Sequence, residues 1–139
     1  MAIRNAEAIW EGNLQRGKGS MKFGSFEGAY SFSSRFEEGP GTNPEELLGA
    51  AHAGCYSMAL SGSLGKAGYT PNQIVTHAKV HLGKVNEQAR ITKIELETVA
   101  EVPGITLEQF REIAETVKTG CPVSAALSAV EITLSASLI

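Results

Sequence analysis

The chain has 139 residues, 42% of them hydrophobic and 19% charged, with a formal net charge of −3. That is enough apolar material for one domain, residues 1–139, with a core that needs no disulfide staples, and the acidic balance offers no basic footprint for nucleic acid. Two cysteines, Cys55 and Cys121, 66 positions apart, are too few for a disulfide scaffold or a thiolate-rich zinc site. No apolar run reaches the roughly 18 residues of a membrane span. The first ten residues carry Arg4, Asn5 and Glu7 and lack the apolar centre of a signal peptide. The expected compartment is therefore the cytoplasm, where a cysteine pair is more often chemical than structural.

In chain order, glycine-rich stretches separate short strands expected near 6–14, 19–25 and 27–36. A helix then opens at Asn43-Pro44-Glu45-Glu46, with Asn43 as N-cap, Pro44 at the first helical position and Glu46 placed for a capping box. Leu47, Leu48, Ala51, Cys55, Met58, Ala59 and Leu64 follow at helical spacing, and the helix should end between Gly65 and Gly68. Alternating apolar residues mark two strands, one through Ile74, Thr76, Ala78, Val80 and Leu82 and one through Ile94, Leu96, Thr98, Ala100 and Val102. Thr106 and Gln109 suit the start of a helix that stops at Gly120. Cys121 precedes Pro122 at the mouth of a short helix reaching about Ser128, and Val130, Ile132, Leu134, Ala136 and Leu138 form a last strand. The order β-β-β-α-β-β-α-α-β is α+β, with antiparallel pairing expected from its hairpins.

Cys121 falls at a helix N-cap, where unpaired N–H groups and the helix dipole lower a thiol pKa; the alternative is a small buried residue at a helix start. Cys55 lies mid-helix, where it is inert unless a cation stands beside it. Glu45 and Cys55 are ten residues apart on one helix, roughly 15 Å along its axis, so carboxylate and thiol meet only between chains. Two such helices crossing antiparallel near Gly49 to Ala51 would bring each Glu45 to Cys55 of the partner subunit, and Gly49, Ala50, Ala53 and Gly54 are small enough to allow it. The plain alternative for Glu45 is negative charge in a first helical turn. His52 is one turn from Cys55 and is the conceivable base of a Cys/His pair, although no orienting partner is visible. His77 and His81 share the polar face of a strand. Gly17-Lys18-Gly19 continues into no nucleotide-binding motif and marks a hairpin, and Glu37, Glu38, Glu45 and Glu46 read as a charged approach to the helix.

The run Gly41-Thr42-Asn43-Pro44-Glu45-Glu46-Leu47-Leu48-Gly49-Ala50-Ala51-His52-Ala53-Gly54-Cys55 and the downstream Gly120-Cys121-Pro122-Val123-Ser124 closely resemble the osmotically inducible protein C family, relatives of the organic hydroperoxide resistance proteins. Trp10-Glu11-Gly12, Arg16-Gly17-Lys18-Gly19, Arg35-Phe36-Glu37 and Val102-Pro103-Gly104-Ile105 extend the likeness over the whole chain. The resemblance implies an intertwined homodimer with antiparallel sheets around a long central helix and active sites between subunits. It implies a thiol peroxidase that reduces organic hydroperoxides in oxidative or osmotic stress, with Cys55 as the peroxidatic and Cys121 as the resolving cysteine. Arg35, at the family's arginine position twenty residues before Cys55, would activate it while held by Glu45. Arg16 is the second choice, because the hydroperoxide-resistance branch carries its arginine in an N-terminal loop after a Gly-Gly step, where this chain reads Gln15-Arg16-Gly17-Lys18. Neither metal nor organic cofactor is required. Turnover needs an external dithiol, a lipoylated protein being one candidate, and Phe36, Tyr56 and Met58 would favour bulky peroxides. The rival readings are a redox-sensing or ligand-binding module that uses the same pair without turnover, and a structural protein that keeps both cysteines buried.

Overall fold

A computed structural model describes all of residues 1–139. The chain forms two compact units, Met1–Leu47 and Leu48–Ile139.

In the first unit, β1 (Glu7–Glu11), β2 (Lys18–Phe23) and β3 (Phe26–Tyr30) make an antiparallel sheet in the order β1-β2-β3. Gly19, on the central strand, pairs with Trp10 on one side and Tyr30 on the other. The two rings close over it with centroids 5.3 Å apart, and a Cβ at this position would lie 2.5 Å from the Tyr30 ring. Only glycine leaves room for that pair.

The strand expected over 27–36 stops at Tyr30, and Phe32–Phe36 forms a one-turn helix, α1. Serines account for the change. Ser31 caps the turn, accepting from the Ser34 N–H at 3.1 Å while the Ser34 hydroxyl accepts from the Ser31 N–H at 2.8 Å, a reciprocal box that competes with strand pairing. Ser34 also donates to the Thr42 carbonyl at 2.7 Å, and the Asn43 amide donates to the Ser34 carbonyl at 3.0 Å, so α1 is tied to the start of the long helix α2 (Pro44–Lys66).

Helix α2 begins and ends where the sequence predicts. Asn43 accepts from the Glu46 N–H at 2.8 Å, satisfying one of the unpaired donors of the first turn. The Glu46 carboxylate takes the Thr42 hydroxyl at 3.4 Å. Gln109 behaves in the same way: its N–H donates to Thr106 at 3.2 Å, and its side chain accepts from the Tyr69 hydroxyl at 2.8 Å.

The second unit holds the rest of α2, the hairpin β4 (Gln73–Val85) and β5 (Gln88–Glu101), α3 (Leu107–Gly120), α4 (Pro122–Ala126) and β6 (Glu131–Leu138). Asn86 and Glu87, both at positive φ, make the two-residue turn between β4 and β5. The expectation of antiparallel pairing throughout fails at β6, which runs parallel to β5. The hairpin rule applies to strands joined by a tight turn, whereas β5 reaches β6 through α3 and α4, and a helical crossover delivers a parallel neighbour. Tyr56, Leu60 and Leu64 from α2, Ile94, Leu96 and Ala100 from β5, and Phe110, Ala114 and Val117 from α3 form the core, with Cys121 among them.

Candidate functional site

Both cysteines belong to the second unit. Tyr56, next to Cys55, is wholly buried and donates its hydroxyl to the Ala114 carbonyl at 2.9 Å. That bond fixes the rotation of α2 and leaves Cys55 half-buried at the edge of the core. Its sulfur lies against the Cys121 thiol and the Val123 N–H. Cys121 is 1% exposed and caps α4 as the sequence predicts, with Pro122 at the first helical position. Its sulfur accepts from the Ser124 N–H at 3.3 Å and donates to the Ser124 hydroxyl at 3.1 Å. Both cysteines are free thiols. Burial pushes the Cys55 thiol above its ordinary pKa, the Val123 N–H opposes the shift, and the Cys121 thiol adds to it. Cys55 is thus partly exposed beside a second thiol that is enclosed.

His52 does not turn toward Cys55. It is wholly buried, and its Nε2 lies 2.7 Å from the Ser124 hydroxyl, which sits on α4 beside Cys121. Burial lowers its pKa. Ser124 is the site residue that the sequence reading missed. Its signal was the Cys121-Pro122-Val123-Ser124 spacing, which places a hydroxyl three residues beyond a cap, where it meets the cap side chain.

In the first unit the pairing expected of Arg35 is present. Nη2 lies 2.7 Å and Nε 3.1 Å from Oε1 of Glu45, with Nε 3.3 Å from Oε2. The Glu45 side chain is 8% and the Arg35 side chain 37% exposed, so Glu45 is enclosed while Arg35 reaches solvent. The Phe36 ring lies against the guanidinium, 5.3 Å from centroid to Cζ. Trp10, Leu14, Tyr30, Phe32, Phe36 and Arg35 line a cavity of about 240 Å³, an apolar hollow with one cation in its wall. Arg16 is exposed in the turn after β1, where its N–H donates to the Asn13 side chain at 2.8 Å.

No three His, Cys, Asp or Glu side chains are grouped to hold a metal, and no helix is long and apolar enough to cross a membrane. The family model for OsmC-like proteins matches residues 37–135. The chain belongs to the OsmC family. A full-length relative, peroxiredoxin OsmC of Escherichia coli strain K12, is 50% identical over 138 residues, covering 97% of this chain and 96% of that protein. The OsmC fold is equally plain among solved structures. An OsmC-like protein from Vibrio cholerae superposes with a TM-score of 0.79 at 19% identity, covering 98% of this chain and 99% of that one. An organic hydroperoxide resistance protein from Legionella pneumophila superposes at 0.69 with 19% identity, covering 99% and 98%.

Of the residues expected to shape substrate preference, Tyr56 is placed otherwise than the sequence predicts. Tyr56 is a core residue whose ring packs inside the second unit, and its only polar atom is committed to Ala114. Met58 is 81% exposed on α2, one turn beyond Cys55. Phe36 lines the Arg35 cavity.

Proposed function

We propose that this OsmC-family chain is a cytoplasmic thiol peroxidase that reduces organic hydroperoxides to alcohols. The observation that carries the proposal is a half-buried Cys55 beside an enclosed Cys121 thiol; the full-length relative named a peroxiredoxin supports it. In the proposed cycle the Cys55 thiolate attacks one peroxide oxygen, the O–O bond breaks, and the departing alkoxide takes a proton to leave as the alcohol. Cys55 becomes a sulfenic acid. Cys121 then attacks that sulfur, the S–O bond breaks, water leaves and the Cys55–Cys121 disulfide forms. An external dithiol, a lipoylated protein being one candidate, reopens the bond by exchange.

The first step needs a thiolate, and within one chain burial and the second thiol work against it. A cation reverses that sign. Arg35, fixed by Glu45, is the proposed source, acting on Cys55 of the partner subunit in a homodimer; the same guanidinium would stabilise charge on the leaving oxygen. Support for a second chain comes from α2, which spans Pro44–Lys66 without a break, so that its own rise separates Glu45 from Cys55 by roughly 15 Å. Its exposed residues Ala50, Ala51 and Gly54 lie about the midpoint between Glu45 and Cys55 and are small enough for close approach of another helix, whereas Gly49 is buried against Ala78 and Val80. The aromatic hollow beside Arg35 suits the alkyl or aryl group of a bulky peroxide.

The test is steady-state consumption of cumene hydroperoxide with dithiothreitol or dihydrolipoamide. Wild-type protein should turn over many times, and Cys55→Ser should lose all of that activity. A Cys55→Ser protein as active as wild type would overturn the assignment. A wild-type protein that forms its disulfide once and is not recycled by either dithiol would be a sensor instead.

A further inference from the structure

The peroxidase cycle leaves His52 without a task, yet its position is costly. The ring is wholly buried, and its Nδ1 has no hydrogen-bond partner, which costs the desolvation of a polar atom with nothing to offset it. An apolar side chain would fill the same space on α2 without that penalty, so a polar ring here points to use rather than packing.

Its other nitrogen shows the use. Nε2 is 2.7 Å from the Ser124 hydroxyl, and that hydroxyl accepts from the Cys121 thiol at 3.1 Å. A hydroxyl donates and accepts at once, so the three groups form one directed chain: thiol proton to Ser124 Oγ, Ser124 proton to His52 Nε2. The order fixes the imidazole tautomer with its proton on Nδ1, the atom without a partner. The Ser124 N–H, 3.3 Å from the sulfur, stabilises the thiolate that remains when the proton leaves.

We infer that Ser124 and His52 form a proton relay that deprotonates Cys121 for disulfide formation, an inference that rests on reading Cys121 as the resolving cysteine. As the Cys121 sulfur attacks the Cys55 sulfenic sulfur, its proton passes to Ser124 and the Ser124 proton passes to His52. The S–S bond forms, the S–O bond breaks, and the departing hydroxide recovers that proton, directly or through water, to leave as water. Nothing is consumed beyond the peroxide already spent in making the sulfenic acid. Ser124 touches the reacting sulfur, and His52 acts through it as a positioning residue. Burial keeps the imidazole neutral, hence able to accept, at pH 7. The other titratable or charged groups about this cluster are Cys55 and Tyr56 on α2 and, on α3, Glu115 and Lys118, which pair with each other at 2.7 Å.

Single-turnover mixing of reduced full-length protein with one equivalent of cumene hydroperoxide separates the two chemical steps. Sulfenic acid at Cys55 is trapped by a dimedone reagent and weighed by mass spectrometry, while disulfide is followed by thiol loss. With His52→Gln or Ser124→Ala, sulfenic acid should form at a rate within twofold of wild type, and disulfide should form roughly 100-fold more slowly. The wild-type disulfide step should slow as pH falls through the His52 pKa, which burial holds below the ordinary 6.5. In His52→Gln that limb should vanish, leaving a rate that climbs with pH as the bare thiol ionises. Resolution at the wild-type rate with the wild-type pH profile in both variants would overturn the relay, as would equal slowing of both steps, which is what a purely structural role produces. If wild-type protein forms no sulfenic acid at all, the peroxidase reading itself fails and the relay with it. Should His52→Gln not fold, Ser124→Ala, which removes a single oxygen, decides alone.

Discussion

Nη2 of Arg35 lies 2.7 Å and Nε 3.1 Å from the same oxygen of Glu45, while the two side chains differ sharply in exposure, 37% for Arg35 and 8% for Glu45. The asymmetry predicts unequal mutants. Removing Glu45 frees a guanidinium that water already reaches, which costs little stability. Removing Arg35 strands an enclosed carboxylate, the more damaging half of such a pair to leave behind. Thermal melting should therefore rank Arg35→Ala below Glu45→Ala. Rates with cumene hydroperoxide should fall by roughly tenfold or more in Glu45→Ala, because the arginine is no longer held in one conformer. The double variant should be no slower than Arg35→Ala, as expected of residues that act as a unit. Strictly multiplicative losses would show that the two act separately.

Gly19 supplies a second prediction. A Cβ there meets the Tyr30 ring at 2.5 Å, and the Ile9 carbonyl and the Trp10 ring at 2.7 Å, and backbone is among the atoms that must give way. Gly19→Ala should destabilise the protein by about 1–3 kcal/mol, the usual cost of overpacking. Because Trp10 and Tyr30 also line the Arg35 cavity, KM for cumene hydroperoxide should rise more than KM for hydrogen peroxide. Denaturant melts and paired kinetics check both; an unchanged ratio of the two KM values would separate the cavity from substrate choice.

What the sequence reveals follows from how local each signal is. The beginning of α2 at Asn43-Pro44 and the cap at Cys121-Pro122 are written in a few adjacent residues, and the structure carries both. The Arg35–Glu45 contact, ten residues apart in the chain, came from family likeness, since no periodicity ties a residue before a helix to one inside it. The one-turn helix at Phe32–Phe36 hides because its sequence suits a strand until Ser31 and Ser34 bond to each other. The parallel β5–β6 pair and the His52–Ser124 contact, 72 residues apart, are tertiary outcomes. They depend on where α3 and α4 return the chain, and no local pattern encodes that return.

Burial of His52 makes a pH prediction whose sign is fixed. Its folded pKa lies below the ordinary 6.5, lowered by desolvation, so as pH falls through 6.5 the unfolded chain takes up a proton that the folded chain refuses. The unfolded state then binds more protons, and stability falls with falling pH from 6.5 down to the folded value. Melting temperature should therefore drop between pH 7 and pH 5.5 in wild type and drop less in His52→Gln. Comparing the two profiles cancels the exposed His77 and the His81–Glu95 pair, which both proteins share. Parallel profiles would mean that His52 is protonated as readily folded as unfolded.

Cys55 gives the most direct check on the proposed dimeric site. In one chain its thiol is raised above the ordinary range by burial, with the Cys121 thiol adding to the shift against the Val123 N–H. A peroxidatic thiol needs the opposite, and only a charge from outside the chain's own cluster supplies it. Thiolate absorbance near 240 nm, titrated in a Cys121→Ser background so that one thiol reports, should place Cys55 below the free-thiol value of about 8.5 in the assembled protein. Arg35→Ala should move the midpoint upward by a unit or more, since one unit corresponds to about 1.4 kcal/mol of preferential interaction with the charged form. Arg16→Ala should leave it in place, because Arg16 lies exposed in the turn after β1. Dilution through the dimer dissociation range should reproduce the Arg35→Ala value. If the acidity survives both dilution and loss of Arg35, the activating charge lies within the subunit and the two-chain site is wrong.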